Sequence, residues 1–459
     1  MTFAVSRAAL LAGALFLTGA TVAVAQPAPP PAVAPAAVAP REIAGRVAKA
    51  IEDIYFDAAK GKTVAADLRA AAARSDFDHF TDPRDLATAL TGRLQPIDHH
   101  FNVSWTPQAA PGAGGPPHGP GGPGPLVIRR GPGGPGGVDP MERRANFGFR
   151  RFESLPGGIG YVDMRQFANF AFGKTDEPAR QAVDAVLTLL TASDAVIIDL
   201  RENGGGSPAM VGYLVSAFTP KDAQIYNVFH TRDGTDDESP MQYFAHPRLD
   251  VPVYVLISAR TGSAAEAFAY TMKAAKRATI VGEASGGAAN PGGRVPLGDG
   301  WSVFVSSGAP VNPITKTNWE GAGVQPDVAV PSGEALNRAR QLALEALLAK
   351  KPEGPTTIDT QWALEGLKAE LTPLASIGGL DDYVGTYNGD LVIKRVGASL
   401  VMQRGRRPAS TLVPLGDGVF FVQGEPSRRV AFERDAAGKV VALDLRSPGG
   451  PSARFRPGA

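Results

Sequence analysis

The sequence contains no cysteine among its 459 residues. A thiol nucleophile, a disulfide framework and a cysteine-based metal site are therefore excluded, so covalent chemistry would have to use Ser, Thr, Lys or a carboxylate. Net charge is also nearly absent, because 46 Lys and Arg residues balance 45 Asp and Glu residues. A formal charge of +1 leaves no electrostatic footprint for nucleic acid or an anionic membrane, and we expect neither as a partner.

Long hydrophobic runs are missing except at the amino terminus. Residues 1–25 combine Arg7, an apolar stretch and the small-residue motif AVA before Gln26, the pattern of a cleavable signal peptide. An uncleaved membrane anchor is the alternative, but the stretch is near the lower length limit of a spanning helix and contains Gly and Thr. We expect a periplasmic or secreted protein with no integral membrane span after cleavage.

Composition and periodicity divide the chain into seven predicted segments. They are a signal peptide (1–25), a Pro/Ala linker (26–41), an N-terminal helical region (42–106), a Gly/Pro-rich flexible insertion (107–143), an α/β core (144–350), a linker (351–379) and a small all-β domain (380–459). The insertion is too poor in apolar residues to order itself. His118 lies inside it and is set aside as a functional candidate.

Strands and helices alternate through the core. Continuous Val/Ile/Leu runs such as AVIIDLR (195–201) and VPVYVLIS (251–258) alternate with helical patterns, which predicts a parallel sheet covered on both faces. Such sheets bind ligands at the carboxyl ends of their strands, and the motifs NGGGS and TGS follow two of these strands. Beyond about residue 380, short alternating segments separated by Gly or Asp turns predict a small barrel or sandwich.

Ser263 has two possible roles. With Glu266 three residues later it forms the sequence pattern of a capping box, in which both side chains satisfy amides at a helix start. A serine at a helix N-terminus could also be a nucleophile, because neighbouring amides can hold an oxyanion. The G-x-S-x-G elbow of α/β-hydrolases is absent, which disfavours that fold. A serine nucleophile would need a lysine or histidine base.

Four motifs in order resemble the C-terminal processing peptidases, a family that includes the tricorn protease core and interphotoreceptor retinoid-binding protein. The motifs are AVIIDLRENGGG, VPVYVLISARTGSAAEAFAYTMK, ATIVGEASGG and NWEGAGVQPDVAV. The segments IDHHFNV and LPGGIGYVDMRQF fit the retinoid-binding-protein-like branch, and the PDZ domain of most processing peptidases is absent. The resemblance implies a ClpP/crotonase-like α/β core and a serine peptidase acting on peptides or proteins without metal or cofactor. No feature of the sequence indicates an oligomeric state.

The resemblance also assigns roles around the nucleophile. It places Ser263 at the nucleophile position. It gives the oxyanion to the amide of Ser263 itself or of the following Ala264, together with an amide of the NGGG turn, from Gly205 or a neighbour. In the lysine-dyad branch the base follows the VGE strand, but that position is Ala288 here, so a lysine base is not expected. Asp199 and Arg201 beside the glycines are expected to form a structural ion pair.

The tricorn-like branch supplies the other catalytic positions. His100 matches the family histidine and would act as the base, with Glu320 as the carboxylate that orients it. His99 stands where tricorn has a serine; it would relay between Glu320 and His100, or simply face solvent. Asp98 could orient an imidazole or cap a turn.

Two other functions remain open on the same scaffold. A non-catalytic protein that binds hydrophobic ligands or peptides is the main alternative, because the retinoid-binding relative shows that the scaffold can carry such ligands. A crotonase-like acyl-thioester enzyme would share the oxyanion chemistry. It is ranked last, because the sequence lacks a basic phosphate-binding cluster and export would remove the protein from coenzyme A.

Overall fold

The computed structural model describes residues 38–107, 140–170, 174–350, 353–374 and 378–458. The predicted signal peptide, most of the Pro/Ala linker and most of the Gly/Pro-rich insertion, including His118, lie outside the described residues. The described residues from Ala39 onward pack as one unit. Within the ranges that are described, every helix is too short or too polar to cross a bilayer.

The elements follow one another in the order that the sequence predicts, with helices first, an α/β core next and strands last. The helices are α1 (Pro40–Ile54), α2 (Ala58–Ala73), α3 (Pro83–Leu94), α4 (Pro140–Arg144), α5 (Pro178–Leu190), α6 (Pro208–Ser216), α7 (Ala264–Ala274), α8 (Ala335–Ala349) and α9 (Pro355–Leu371). The strands up to the end of the core are β1 (Asn102–Trp105), β2 (Phe149–Leu155), β3 (Ile159–Met164), β4 (Ala195–Asp199), β5 (Val228–Thr231), β6 (Thr235–Asp237), β7 (Val253–Ile257), β8 (Thr279–Gly282), β9 (Gly292–Gly298), β10 (Trp301–Ser306), β11 (Gly308–Val311) and β12 (Val328–Ala329). The C-terminal strands are β13 (Gly385–Tyr387), β14 (Leu391–Val396), β15 (Ser399–Arg404), β16 (Ser410–Gly416), β17 (Val419–Val422), β18 (Glu425–Arg434), β19 (Val440–Arg446) and β20 (Ala453–Phe455).

The central sheet has the strand order β12-β8-β7-β4-β3-β2. Its strands are parallel except for the antiparallel edge strand β2. Every residue of β4 and β7 is buried, as expected for strands covered on both faces. One face packs against α5, α6 and α7, and the other packs against α8 and α9. The predicted α/β fold class is therefore confirmed.

The N-terminal helices are joined to the core rather than set apart from it. Strand β1, inside the predicted helical region, pairs with β10 in a second sheet of order β1-β10-β9. The Phe56 amide donates to the carbonyl of Ser306 (3.1 Å), and Arg46 of α1 donates to the carbonyl of Leu297 (3.0 Å). A third small sheet has the order β11-β5-β6.

Helix α9 corrects the predicted linker at 351–379. Pro355 begins the helix, where its fixed φ is already helical and no amide hydrogen is needed. Ala363, Leu364 and Leu367 are buried in one cluster with residues of α8. The Pro and Gly residues at the start of this segment favour a linker, whereas the apolar residues that follow them form the buried face of the helix.

The C-terminal strands form an antiparallel sheet in the order β13 to β20, as predicted for a small β domain. The last residues return to the first strand, because the Asn388 amide donates to the carbonyl of Arg456 and the Gly458 amide to that of Thr386 (both 2.8 Å). These bonds close the sheet into a barrel around an apolar interior. Buried Arg429 ties the barrel to α9 by donating to the carbonyl of Trp362 (2.8 Å).

Candidate active site

Two turns lie side by side at the carboxyl ends of adjacent parallel strands. The glycine turn (residues 202–206) follows β4, and the serine turn (residues 258–263) follows β7. The Gly262 amide donates to the carbonyl of Asn203 (3.0 Å), and the Thr261 hydroxyl donates to the carbonyl of Leu200 (2.7 Å). These bonds join the two turns where an α/β sheet usually binds its ligand.

Ser263 adopts an uncommon backbone conformation at the start of α7. Its φ of 52° and ψ of −121° place a non-glycine residue at positive φ, a strain of roughly 1–3 kcal/mol. The capping-box residues are both in place, and the Glu266 carboxylate accepts the Ser263 amide (2.8 Å). The Ser263 side chain faces the backbone amide of Glu266 in this box, but its hydroxyl makes no hydrogen bond of ordinary geometry within the described ranges. Glu266 therefore makes the capping bond at this end of α7, and the Ser263 hydroxyl is partly exposed.

Glu266 also holds the bridging loop (residues 285–290) against the serine turn. It is fully buried, and it accepts the Ser285 hydroxyl (2.6 Å) and the amides of Gly287 (2.6 Å) and Ala288 (3.0 Å). A carboxylate in the first turn is also stabilised by the positive end of the helix dipole. Ala288, where the lysine-dyad branch has its base, thus contributes a backbone contact here.

The amides predicted to hold an oxyanion differ in availability. The Ala264 amide, at the first position of α7, has no hydrogen-bond partner within the described ranges. Gly205 lies against Ser263, where an added Cβ would be 2.7 Å from the Ser263 Cβ. Its amide, however, already donates to the side-chain oxygen of Asn203 (2.9 Å). The amide of Gly206, one residue further on, has no such partner among the described residues.

Asp98, His100 and Glu320 converge although they are far apart in the chain. One donor atom from each lies within 4.8 Å of those of the other two. Asp98 Oδ1 accepts the His100 amide (2.9 Å) and lies 3.9 Å from His100 Nδ1, which is buried and has no hydrogen-bond partner among the described residues. The His100 ring stacks on Phe304 at a centroid distance of 5.6 Å. The imidazole is therefore packed between a ring and two carboxylates.

Glu320 is held by backbone amides. Its Oε2 accepts the amides of Ala289 (2.7 Å) and Asn290 (3.1 Å), and its Oε1 accepts the amide of His99 (3.2 Å). The His99 residue is exposed, and its imidazole makes no hydrogen bond within the described part of the chain. His99 thus reaches Glu320 through its backbone, and its side chain has the solvent-facing placement that was the alternative to a relay.

Asp98 is the residue of this cluster to which the sequence analysis gave no firm role. Only 2% of it is exposed, and its second oxygen accepts the side-chain amide of Asn290 (3.0 Å). Burial, and then the negative charge of Asp98, raise the pKa of the adjacent Tyr55, so its hydroxyl stays protonated. That hydroxyl faces Asp98 without reaching hydrogen-bond geometry. The D-x-H spacing was the available signal, because an Asp side chain often binds the amide two residues on.

Within the described ranges, Asp98, His100 and Glu320 together carry the kind of donor atoms that a metal site needs. Ligands of tetrahedral zinc are about 3.3 Å apart at ordinary bond lengths. Asp98 Oδ1 and His100 Nδ1 are 3.9 Å apart, so the pair would have to contract to hold such an ion. The spacing suits an imidazole facing carboxylates better than a preformed cation site.

Other charged residues near the turns have structural partners. Lys273 of α7 pairs with Asp327 (2.9 Å), which leaves it unsuited to act as a base. Arg201 makes two hydrogen bonds to Asp199 (2.9 and 2.6 Å). Burial would raise the pKa of Asp199, but the bonds from Arg201 and Tyr161 outweigh it and lower that pKa. This is the structural ion pair that the sequence predicts.

The α/β core is similar to known proteins. Residues 158–330 match the model of peptidase family S41. A carboxyl-terminal-processing protease of Synechocystis sp. is 28% identical over 155 residues, covering 34% of this chain and 34% of that protein. A carboxy-terminal-processing protease of Bartonella bacilliformis is 27% identical over 181 residues, covering 38% and 39%. The alignments thus span well under half the length of these relatives.

A solved structure gives a further comparison. The photosystem II D1 C-terminal processing protease is 24% identical, with a TM-score of 0.30, and the match covers 38% of this chain and 43% of that one.

Proposed function

We propose that this chain is an exported serine-type peptidase that cleaves peptide bonds through an acyl-enzyme on Ser263. The observation that carries the proposal is the partly exposed Ser263 hydroxyl, held on a strained turn at a helix N-terminus where the Glu266 carboxylate caps the helix. An unpartnered amide at Ala264 stands next to it, as an oxyanion site requires. The match to the model of peptidase family S41 supports peptidase activity.

The bridging loop connects the proposed base, His100, to the serine turn. The amide of Ala288 binds Glu266 beside Ser263, while the amide of the next residue, Ala289, binds Glu320 beside His100. The loop thus fixes the position of the histidine cluster relative to the serine turn. This contact supports the assignment of His100 as the partner of Ser263.

In the proposed reaction, Ser263 Oγ attacks the carbonyl carbon of the peptide bond and His100 takes its proton. The oxyanion is held by the Ala264 amide and an amide of the glycine turn, for which the unpartnered Gly206 is better suited than Gly205. His100 returns the proton to the leaving amine as the acyl-enzyme forms. Water, deprotonated by His100, then hydrolyses the ester. Asp98 and Glu320 hold the imidazole and stabilise its positive charge.

A fluorophosphonate tests the nucleophile directly. The mature protein is incubated with the reagent, and intact mass and peptide mapping follow. We expect one adduct on Ser263, lost in Ser263→Ala and strongly reduced in His100→Ala. Ser207→Ala is the matched control, because Ser207 is a partly exposed serine beside the glycine turn, and this variant should label normally. No adduct on a folded wild-type protein would refute the proposal.

Export rests on the pattern of residues 1–25. The full-length chain is expressed in a Gram-negative host, which is then fractionated. We expect the protein in the periplasm or medium, with Gln26 as its first residue by N-terminal sequencing. An uncleaved protein in the cytoplasm would contradict this part of the proposal.

A further inference from the structure

The sheet formed by β1, β10 and β9 has a polar face that continues from His100. Phe101 and Val103 are buried, so the alternate residues of β1 point to the opposite side. Asn102 pairs across the sheet with Phe304, and Phe304 pairs with Arg294. Because the His100 ring stacks on Phe304, the imidazole and Arg294 belong to the same face.

Arg294 is an exposed cation without a counter-ion on this face. No carboxylate lies within 4.0 Å of its guanidinium among the residues that the structure describes. Arg46 of α1, by contrast, has counter-ions. Its guanidinium pairs with Glu42 (2.8 Å) and with Asp299 in the turn between β9 and β10 (2.7 Å). Among the described residues, Arg294 therefore has no charged partner.

Neutral oxygen atoms hold the Arg294 guanidinium in place. Nη1 donates to the hydroxyls of Ser104 (2.5 Å) and Ser302 (3.3 Å), and Nη2 donates to the side-chain oxygen of Asn102 (3.0 Å). An arginine has five N–H groups, so these three bonds leave about two for an external acceptor. A fixed guanidinium with free donors is suited to bind a carboxylate in a bidentate manner.

Backbone connections and side-chain contacts place Arg294 near the proposed cleavage site. The bridging loop, tied to the serine turn by Glu266, runs into β9, and Asn290 at its end contacts Asp98. Arg294 lies four residues further along the chain. Its guanidinium contacts Asn102, two residues after His100. A peptide that occupies the site and extends past the imidazole would therefore meet this cation.

We propose that Arg294 forms a carboxylate subsite for peptide substrates on the His100 side of the scissile bond. The carboxylate belongs either to an acidic side chain or to a free C-terminus, and both present the same chemistry to a guanidinium. This inference rests on the proposed function, because it names the substrate class of that same site. Substrates without a carboxylate in reach would bind and react less well.

Matched peptides test the subsite, first by binding to Ser263→Ala, which cannot form the acyl-enzyme. One pair differs only in a free or amidated C-terminus, and a second, amidated pair differs only in Glu or Gln within the sequence. We expect the carboxylate form of at least one pair to bind about tenfold more tightly, as one charge-assisted interaction implies. The pair that shows the difference identifies the source of the carboxylate.

Substitutions of Arg294 test whether this residue causes the preference for peptides with a carboxylate. Adding Arg294→Gln to Ser263→Ala should bring the carboxylate-to-neutral ratio close to one, and Arg294→Lys should keep part of it. Arg46→Gln is the matched control and should leave the ratio unchanged. Equal binding of both members of each pair, no binding of any peptide, or a preference that survives Arg294→Gln would overturn the inference.

Turnover by the wild-type protein separates the two proposals. The ratio of kcat/KM values should follow the binding ratio and should also fall towards one in Arg294→Gln. A carboxylate preference in binding that depends on Arg294, together with no cleavage and no fluorophosphonate adduct, would support the subsite while refuting the peptidase function.

Discussion

Glu266 and Glu320 accept hydrogen bonds from four consecutive backbone amides of one loop. The amides of residues 287–288 donate to Glu266, and those of residues 289–290 donate to Glu320. Neither carboxylate forms a salt bridge within the described ranges. Backbone N–H groups therefore stabilise both charges, and the two carboxylates set the spacing between Ser263 and the histidine cluster.

Glu266→Gln should damage both stability and activity. The glutamate accepts three amides and a hydroxyl in a fully buried setting, and a glutamine would turn its NH₂ group towards donors. We expect the free energy of unfolding to fall by about 2–4 kcal/mol and fluorophosphonate labelling of Ser263 to drop at least tenfold. Urea unfolding and the labelling rate measure the two effects.

The control for that experiment is Glu283→Gln. Glu283 is exposed and accepts one amide, from Ser332 (3.1 Å). Its substitution should change the unfolding free energy by no more than about 0.5 kcal/mol. Equal effects of the two variants would show that the buried carboxylate is not what holds the loop.

Gly205→Ala should abolish labelling of Ser263. Gly205 has φ of 108°, and a Cβ there would lie 2.7 Å from the Ser263 Cβ and 2.8 Å from the Gly262 carbonyl oxygen. The serine turn would have to move away from the glycine turn. Gly204→Ala is the matched control, because a Cβ at Gly204 meets nothing within 4 Å. If both variants label like the wild type, the two turns are not packed as described.

Asp98→Asn should lower kcat more than it raises KM. The side-chain oxygen of the introduced asparagine could still accept the His100 amide, but the negative charge facing Nδ1 would be lost, and with it the stabilisation of a protonated imidazole. We expect kcat to fall roughly 10–100-fold with KM changed less than about threefold, measured on one peptide substrate. Asp299→Asn, at an exposed carboxylate of the β9–β10 turn, should leave both constants unchanged. An unchanged kcat in Asp98→Asn would remove Asp98 from the proposed mechanism.

Glu238→Gln should flatten the pH dependence of stability above pH 5. Glu238 is buried, and one oxygen accepts Asn227 (2.6 Å) while the other has no partner among the described residues. Burial raises the pKa of Glu238 to about 8, from 4.5 for the exposed group. Because the folded-state pKa is the higher one, this contribution to stability is fully present below pH 4.5 and is lost as pH rises to about 8.

The free energy of unfolding of the wild-type protein should fall by an amount on the order of 4 kcal/mol between pH 4.5 and about pH 8. One pKa unit corresponds to about 1.36 kcal/mol. Urea unfolding from pH 5 to pH 8.5 measures this fall. Glu238→Gln should lack this slope, whereas Glu425→Gln, at an exposed carboxylate of the barrel, should retain it. The same slope in all three proteins would mean that Glu238 does not carry the dependence.

Local periodicity in the sequence was enough to predict the central sheet. The buried runs that became β4 and β7 could be recognised because strands covered on both faces need continuous apolar residues. The same argument placed the glycine turn and Ser263 at strand ends. The sequence predicts a linker for the residues of α9, because the burial of Leu364 and Leu367 depends on a neighbouring helix that local pattern does not reveal.

The sequence by itself determined the order of elements, the residue types available for chemistry and the position of Ser263 at a helix start. Tertiary structure decided that Glu266 binds the bridging loop as well as the helix start, that the Gly205 amide is already used, and that Asp98 joins His100 and Glu320. It also left Arg294 without a counter-ion among the described residues. Capping and periodicity act over a few residues, whereas these contacts join segments up to about 220 residues apart, as with His99 and Glu320. Such pairings follow from how the sheets and loops pack, which no local pattern encodes.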